Sequence, residues 1–274
     1  MALVRGRAAS LLLLAALLCA ATFLAVPAAA TGKTGQVAVF WGRNKNEGSL
    51  REACDTGTYT IAIISFLDVF GRGNYHLDLS GHDVSAVGAD IKHCQSKNIL
   101  VFLSIGGFGN QYSLPTAQSA ADVADYIWNA YMLGTRKGVY RPFGDAFVDG
   151  IDFFIENGAP ANYDELAKRL WNFNKDFRGR TPVQLTATPR FYDDADCAAN
   201  WQRQWDKWTA AYPSAQIYLG LPASEQKVGY IHPKNLYYSV IQVAQKAANY
   251  GGVMVWERYE DTRTNYSSYA IQWA

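Results

Sequence analysis

The sequence predicts an α/β fold, a (β/α)8 TIM barrel. Three observations predict it. Strand-like apolar runs alternate with helix-like runs from residue 37 to residue 256, which calls for a parallel sheet. Setting aside a 30-residue leader leaves 244 of the 274 residues, the length of one barrel domain. No Gly-rich phosphate loop follows the first strand, which disfavours an open doubly wound sheet.

The leader comes first. Arg5 and Arg7 precede an apolar run from Leu11 to Leu18, and small residues end at Ala28-Ala29-Ala30. That order is a secretory signal peptide over 1–30; the run is short for a membrane anchor. Residues 31–274 then form a single barrel domain, expected outside the cell. Losing Arg5 and Arg7 takes the basic residues from 25 to 23 against 24 acidic ones. Such a balance argues against nucleic acid or an anionic membrane as partner. With 18% charged and 49% hydrophobic residues, the chain is not of the disordered class. No later run is long enough to span a bilayer.

Strands are expected at 37–41, 61–67, 99–105, 146–155, 183–186, 217–221 and 253–256, each apolar, β-branched or aromatic. Apolar residues at helical spacing mark helices at 83–95, 120–133, 163–177, 201–212 and 233–248, with Pro233 suited to a first turn. The strand count is seven, one short of a closed barrel, so either about one βα unit is absent or a strand goes unrecognised elsewhere. About 27 residues separate Thr188 from Gln216, where a barrel needs a helix, a strand and a helix, and one βα unit alone takes roughly 30. Cysteine parity is odd as well. Cys19 leaves with the leader; Cys54 and Cys94 lie on the first two outer helices and are expected to pair; Cys197 is left over. Asn265-Tyr266-Ser267 is the one N-glycosylation sequon.

The stretch Asp149-Gly150-Ile151-Asp152-Phe153-Phe154-Ile155-Glu156 carries the chemistry. Alternation along a strand puts Asp152, Phe154 and Glu156 on one face, towards the C-terminal mouth where barrel active sites lie. A satisfied structural carboxylate cluster is the plainer reading. Yet three acids within eight residues of an apolar strand are costly to bury without partners or purpose.

The stretch resembles the Asp-Gly-x-Asp-x-Asp-x-Glu signature of glycoside hydrolase family 18, the chitinase family. Ser104-Ile105-Gly106-Gly107 is similar to its second signature. The opening 39–44 and closing 251–256 segments are similar to the first and last strands of plant class III chitinases. Within the family, 40–45, 65–70, 75–83 and 141–146 most resemble the cereal xylanase-inhibitor proteins of the XIP type. The resemblance implies a substrate-assisted mechanism in active relatives, an exception to the two-carboxylate scheme. There a Glu protonates the leaving oxygen, and an Asp two residues earlier orients the sugar's acetamido group. Here Glu156 holds the acid position, but Phe154 replaces the assisting Asp. Losing such an electrostatic partner costs roughly 10²–10³ in rate. Phe108 stands where class III chitinases have a small residue and is expected to intrude on the sugar groove. Asp149, Asp152, Glu156 and Tyr192 are then vestigial, and no metal or cofactor is implied.

The inhibitor resemblance places contacts elsewhere. Arg178, in the loop 176–182, matches the Arg that such inhibitors insert into family 11 xylanases, though this loop is about two residues shorter. A planar guanidinium suits a cleft with two carboxylates; an Arg near a helix C-terminus is also simply a solvated residue. Lys234, in the helix after the seventh strand, is the candidate contact for family 10 xylanases. The resemblance implies microbial xylanases as partners of a monomer acting in plant defence. Chitin-type oligosaccharide binding, weak chitinase activity and a non-functional truncated product stay open as alternatives. It also explains the strand count: relatives carry a Cys, a helix and the sixth strand between segments matching Arg190 and Phe191, so a deletion at that junction is expected. Transcripts of the locus are expected to include one with a further segment of roughly 30 residues, bearing a cysteine, between Arg190 and Phe191. If genomic exon and transcripts all run directly from Arg190 to Phe191, no deletion has occurred.

Overall fold

The computed structural model describes residues 34–176, 183–188, 197–272 and 274. Its strands are β1 (Val37–Trp41), β2 (Ile61–Val69), β3 (His76–Leu77), β4 (Leu100–Gly107), β5 (Gly150–Ile155), β6 (Gln184–Ala187), β7 (Ile217–Pro222) and β8 (Tyr250–Trp256). All but β3 run parallel in the order β6-β5-β4-β2-β1-β8-β7. Because β1 pairs with both β2 and β8, the sheet curls until its last strand in the chain lies beside its first. Among the described residues no ladder joins β6 to β7, so these two strands are the edges. Among the described residues, the expected α/β barrel-type fold takes the form of a curled sheet of seven parallel strands. The Arg190/Phe191 junction lies outside the described residues, as does the leader.

The helices are α1 (Leu50–Asp55), α2 (Val84–Ser96), α3 (Ala117–Tyr131), α4 (Tyr163–Asn172), α5 (Cys197–Ala211), α6 (Pro233–Asn235), α7 (Gln242–Ala244), α8 (Arg258–Thr264) and α9 (Tyr266–Ala270). Their starts follow side-chain chemistry. Ser49 and Glu52 form a reciprocal capping box on α1, Asp83 caps α2, and Thr116 with Ser119 caps α3. One apolar core fills the space between sheet and helices, including Trp41, Leu50, Ile91, Ile127 and Leu170. A second lies inside the curled sheet: Ala38, Phe40, Ile61, Ile63, Phe66, Phe102 and Phe154. Cys54 of α1 and Cys94 of α2 form the expected disulfide, with Cα atoms 5.4 Å apart.

Three expectations shift. The strand foreseen at 146–155 begins only at Gly150. The preceding residues are held instead by Arg141, whose guanidinium donates to five carbonyls: Asn129, Met132, Gly134, Gly144 and Ala146, at 2.6–3.2 Å. The helix foreseen at 163–177 tightens into a 3-10 turn at Phe173–Asp176, and that at 233–248 is interrupted by a π segment, Leu236–Ile241. β3, α8 and α9 are too short to leave a periodic signal.

Arg141 thus closes the C-terminal end of α3 and sets the entry into β5. Arg141→Ala is expected to lower unfolding stability by about 2–4 kcal/mol, since several half-buried carbonyls lose a charged donor together. Urea denaturation checks this, and an unchanged midpoint would refute it.

Candidate functional site at the barrel mouth

The site is built at the C-terminal ends of β1, β2, β4, β5 and β8. β4 and β5 pair so that Ser104 faces Asp152 and Gly106 faces Phe154. The Gly106-Gly107 pair is a steric requirement. A Cβ on Gly106 would lie 2.1 Å from the Phe154 carbonyl oxygen, and one on Gly107 would lie 2.7 Å from the Phe66 ring. Both residues also hold positive φ, a region glycine enters without strain.

Asp152 is buried. Its carboxyl accepts from the hydroxyls of Ser104 (2.7 Å), Thr186 (2.8 Å) and Thr188 (3.0 Å), with no cation among these partners. Burial pushes its pKa above the usual carboxylate range, and the three hydroxyls oppose that rise only in part. Phe154 projects into the interior core. Its ring packs against Phe66 (5.0 Å between centroids), Trp256 (5.5 Å), Phe40 (5.7 Å) and Phe108 (5.7 Å). Phe108 lies edge-on to Phe66, Phe154 and Trp256 and is itself 58% exposed, so it forms the outer cover of this cluster. The Arg43 guanidinium lies 5.1 Å from the Phe66 ring centroid and pairs with Asp78 at 3.2 Å.

Glu156 is half-buried, one residue beyond β5. Its backbone is fixed by the buried Tyr112, whose hydroxyl accepts from the N–H groups of Glu156 (3.2 Å) and Asn157 (3.1 Å) and donates to the Gly107 carbonyl (2.8 Å). Asn157 in turn donates to the Phe108 and Gly109 carbonyls. Tyr112 therefore locks the loop after β5 to the end of β4. Asp149 stands at the other end of β5. Its carboxylate accepts from the Val101 N–H (2.8 Å) and the Gln95 amide (3.1 Å), the partners of a strut between β4, β5 and α2. Burial raises its pKa too.

Asp152, Phe154, Phe108 and Glu156 thus come together at the β4–β5 end, while Asp149 does not join them. Tyr192 and Arg178 lie outside the described residues, as does the Cys197 side chain at the start of α5. Lys234 is exposed in the first turn of α6, where its N–H donates to His232 Nδ1 at 3.2 Å. Asn265 is exposed, with a left-handed backbone between α8 and α9. The sequence reading missed Tyr112, for which no local signal exists. It also missed the hydroxyl cradle, which the alternation of Thr186 in β6 with Thr188 just beyond it could have indicated. Among the described residues, no group of three or more His, Cys, Asp or Glu could hold a metal ion, and no helix is long and apolar enough to cross a membrane.

Parallel strands curled into a barrel, with an acid beyond one C-terminal strand end, define a glycosidase-type scaffold whose mouth is filled by aromatic rings. The chain belongs to the glycosyl hydrolases family 18, whose model matches residues 36–202. It is 54% identical to xylanase inhibitor protein 1 of Oryza sativa subsp. japonica over 300 aligned positions, covering 98% of this chain and 99% of the rice protein. It is 36% identical to an acidic endochitinase of Arabidopsis thaliana, covering 85% and 88% of the two chains. The structure matches that of a xylanase and alpha-amylase inhibitor protein from Scadoxus multiflorus with a TM-score of 0.81 at 34% identity, over 87% of this chain and 98% of that one.

The Asp152 environment sets a pH dependence. With its folded pKa raised above the unfolded value, its contribution to stability is complete below the unfolded pKa of about 3.9 and is lost as pH rises through the folded pKa. Asp152→Asn, neutral throughout, is therefore expected to gain stability relative to the parent as pH rises from about 4 towards neutrality. Urea midpoints of both proteins across pH check it; a constant difference would count against the assignment.

Proposed function

We propose that this chain is a secreted proteinaceous inhibitor of microbial endo-xylanases, acting in plant defence on a chitinase-like scaffold that does not turn over chitin. Phe154 carries the reading. Substrate-assisted hydrolysis needs a carboxylate two residues before the acid, and here an apolar ring stands there among four aromatic neighbours. Hydrolysis is lost at the site while the scaffold is kept, and similarity to xylanase inhibitor protein 1 supplies the direction. Arg178 is the proposed contact for family 11 xylanases and Lys234 for family 10. A glycan is proposed on the exposed Asn265.

The missing βα unit is part of this proposal. The alignment to the rice protein runs over 300 positions, whereas 98% of this chain is roughly 269 residues, so about 31 positions stand opposite gaps here. One βα unit is of that size. The open edges at β6 and β7 agree in kind. A second reading, sugar binding without turnover, is favoured by one observation: Glu156 is retained and its backbone is pinned by Tyr112.

Titration of the mature chain against one family 11 and one family 10 xylanase tests the proposal. Arg178→Ala is expected to weaken family 11 inhibition roughly 30-fold or more and to spare family 10, as for truncating one partner of a buried charge pair. Lys234→Ala is expected to do the reverse. No hydrolysis of chitin oligomers is expected. A compact chain that inhibits neither enzyme would defeat the inhibitor reading, and binding of chitin oligomers by such a chain would install the second.

A further inference from the structure

Outside the aromatic-filled mouth, the segment after β7 and helix α8 enclose a depression of about 260 Å³. Residues 224–226 and Tyr230 line one side of it, and Glu260, Arg263 and Thr264 the other. Its volume falls below the roughly 300–1,000 Å³ of drug-sized pockets. One or two small rings fill it.

Two of the polar groups here, Glu260 and Ser224, have weak partners. Glu260 meets Arg263 at 3.5 Å, the long limit for an ion pair of value. Ser224 Oγ accepts only a 3.4 Å contact from the Gln226 N–H. Their bonding capacity is therefore largely unspent. The walls are nonetheless held from behind. Tyr230 packs on the buried Tyr266 at 5.5 Å, and Tyr266 donates to the Ile231 carbonyl at 2.7 Å. The Arg263 guanidinium lies 5.4 Å from the Tyr259 ring. Thr264 donates to the Ala223 carbonyl at 2.8 Å, tying α8 to the segment after β7. A tyrosine ring beside two carboxylates, a guanidinium, an amide and a hydroxyl is a set of planar acceptors and donors, in which the tyrosine and the guanidinium are each backed by a second ring. Vicinal hydroxyls on a ring with an apolar face match that set: the carboxylates accept, the guanidinium and amide donate, and the tyrosine covers the ring face.

We propose that this depression is a binding site for a neutral saccharide of one or two rings, separate from the aromatic-filled mouth. The site is independent of xylanase inhibition, so the two ideas fail separately. Amide shift mapping of the labelled mature chain with xylobiose, and in parallel with trehalose and chitobiose, tests it. Saturable shifts confined to residues 224–230 and 260–264 with any of the three sugars are expected. Glu260→Gln, which keeps the size of the side chain, is expected to weaken binding roughly tenfold, as for loss of a charged hydrogen-bond acceptor. Tyr230→Ala is expected to abolish it, and Glu225→Gln serves if that variant fails to fold. Absence of saturable shifts in large sugar excess overturns the proposal. So do shifts centred on the mouth, or binding unchanged in Glu260→Gln.

Discussion

The architecture of the mouth depends on one packing constraint: the Phe154 ring occupies the interior of the curled sheet. It meets four other rings, from β1, β2, the end of β4 and β8. Each such pair contributes about 0.5–1.5 kcal/mol beyond burial itself. A carboxylate in the same place would be stripped of water among aromatic rings. Asp152, two residues earlier on the same face, shows the alternative: it survives burial only because three hydroxyls converge on it. The strand thus keeps one acid by solvating it with protein groups and replaces the next by filling space.

That interior is framed by backbone devices. Gly106 and Gly107 let β5 and the Phe66 ring approach distances that any side chain would forbid. Tyr112 holds the ends of β4 and β5 together through a single hydroxyl, and Asn157 repeats the tie outside it. At the opposite end, Asp149 braces the start of β5 against β4 and α2. A motif that reads as one cluster in the sequence is therefore split along the strand, with bracing at one end and the mouth at the other. Exposure of Phe108 follows from the same packing. The rings beneath it fill the cavity, and the outermost ring is left to the solvent.

The alternation of apolar runs was enough to read seven strands and a parallel sheet, because all of them but the edge strand β6 carry buried residues. Cys54 and Cys94 were legible for the same reason, since both sit on helices that pack side by side. Less legible was anything set by one long side chain. Arg141 holds the residues before β5 by gathering five carbonyls from residues 129–146, and no periodicity records such a hub. Tyr112 is similar: its hydroxyl acts on residues more than forty positions away. The depression beside α8 escaped the reading because α8 and α9 are shorter than two clear turns of pattern.

Along the sheet, β1, β2 and β4 are almost wholly buried, whereas β6 is half-exposed throughout. Each edge strand is held by one ladder among the described residues, where inner strands have two or, for β2, three. Opening therefore starts at the β6 and β7 ends, at a free energy below that of the central strands. The proposed xylanase contacts adjoin these strands in the chain, Arg178 just before β6 and Lys234 soon after β7. Thermodynamic linkage follows: an enzyme that grips either contact binds the closed sheet and not the opened one, and so raises the apparent stability of the seam by an amount set by its concentration relative to its dissociation constant.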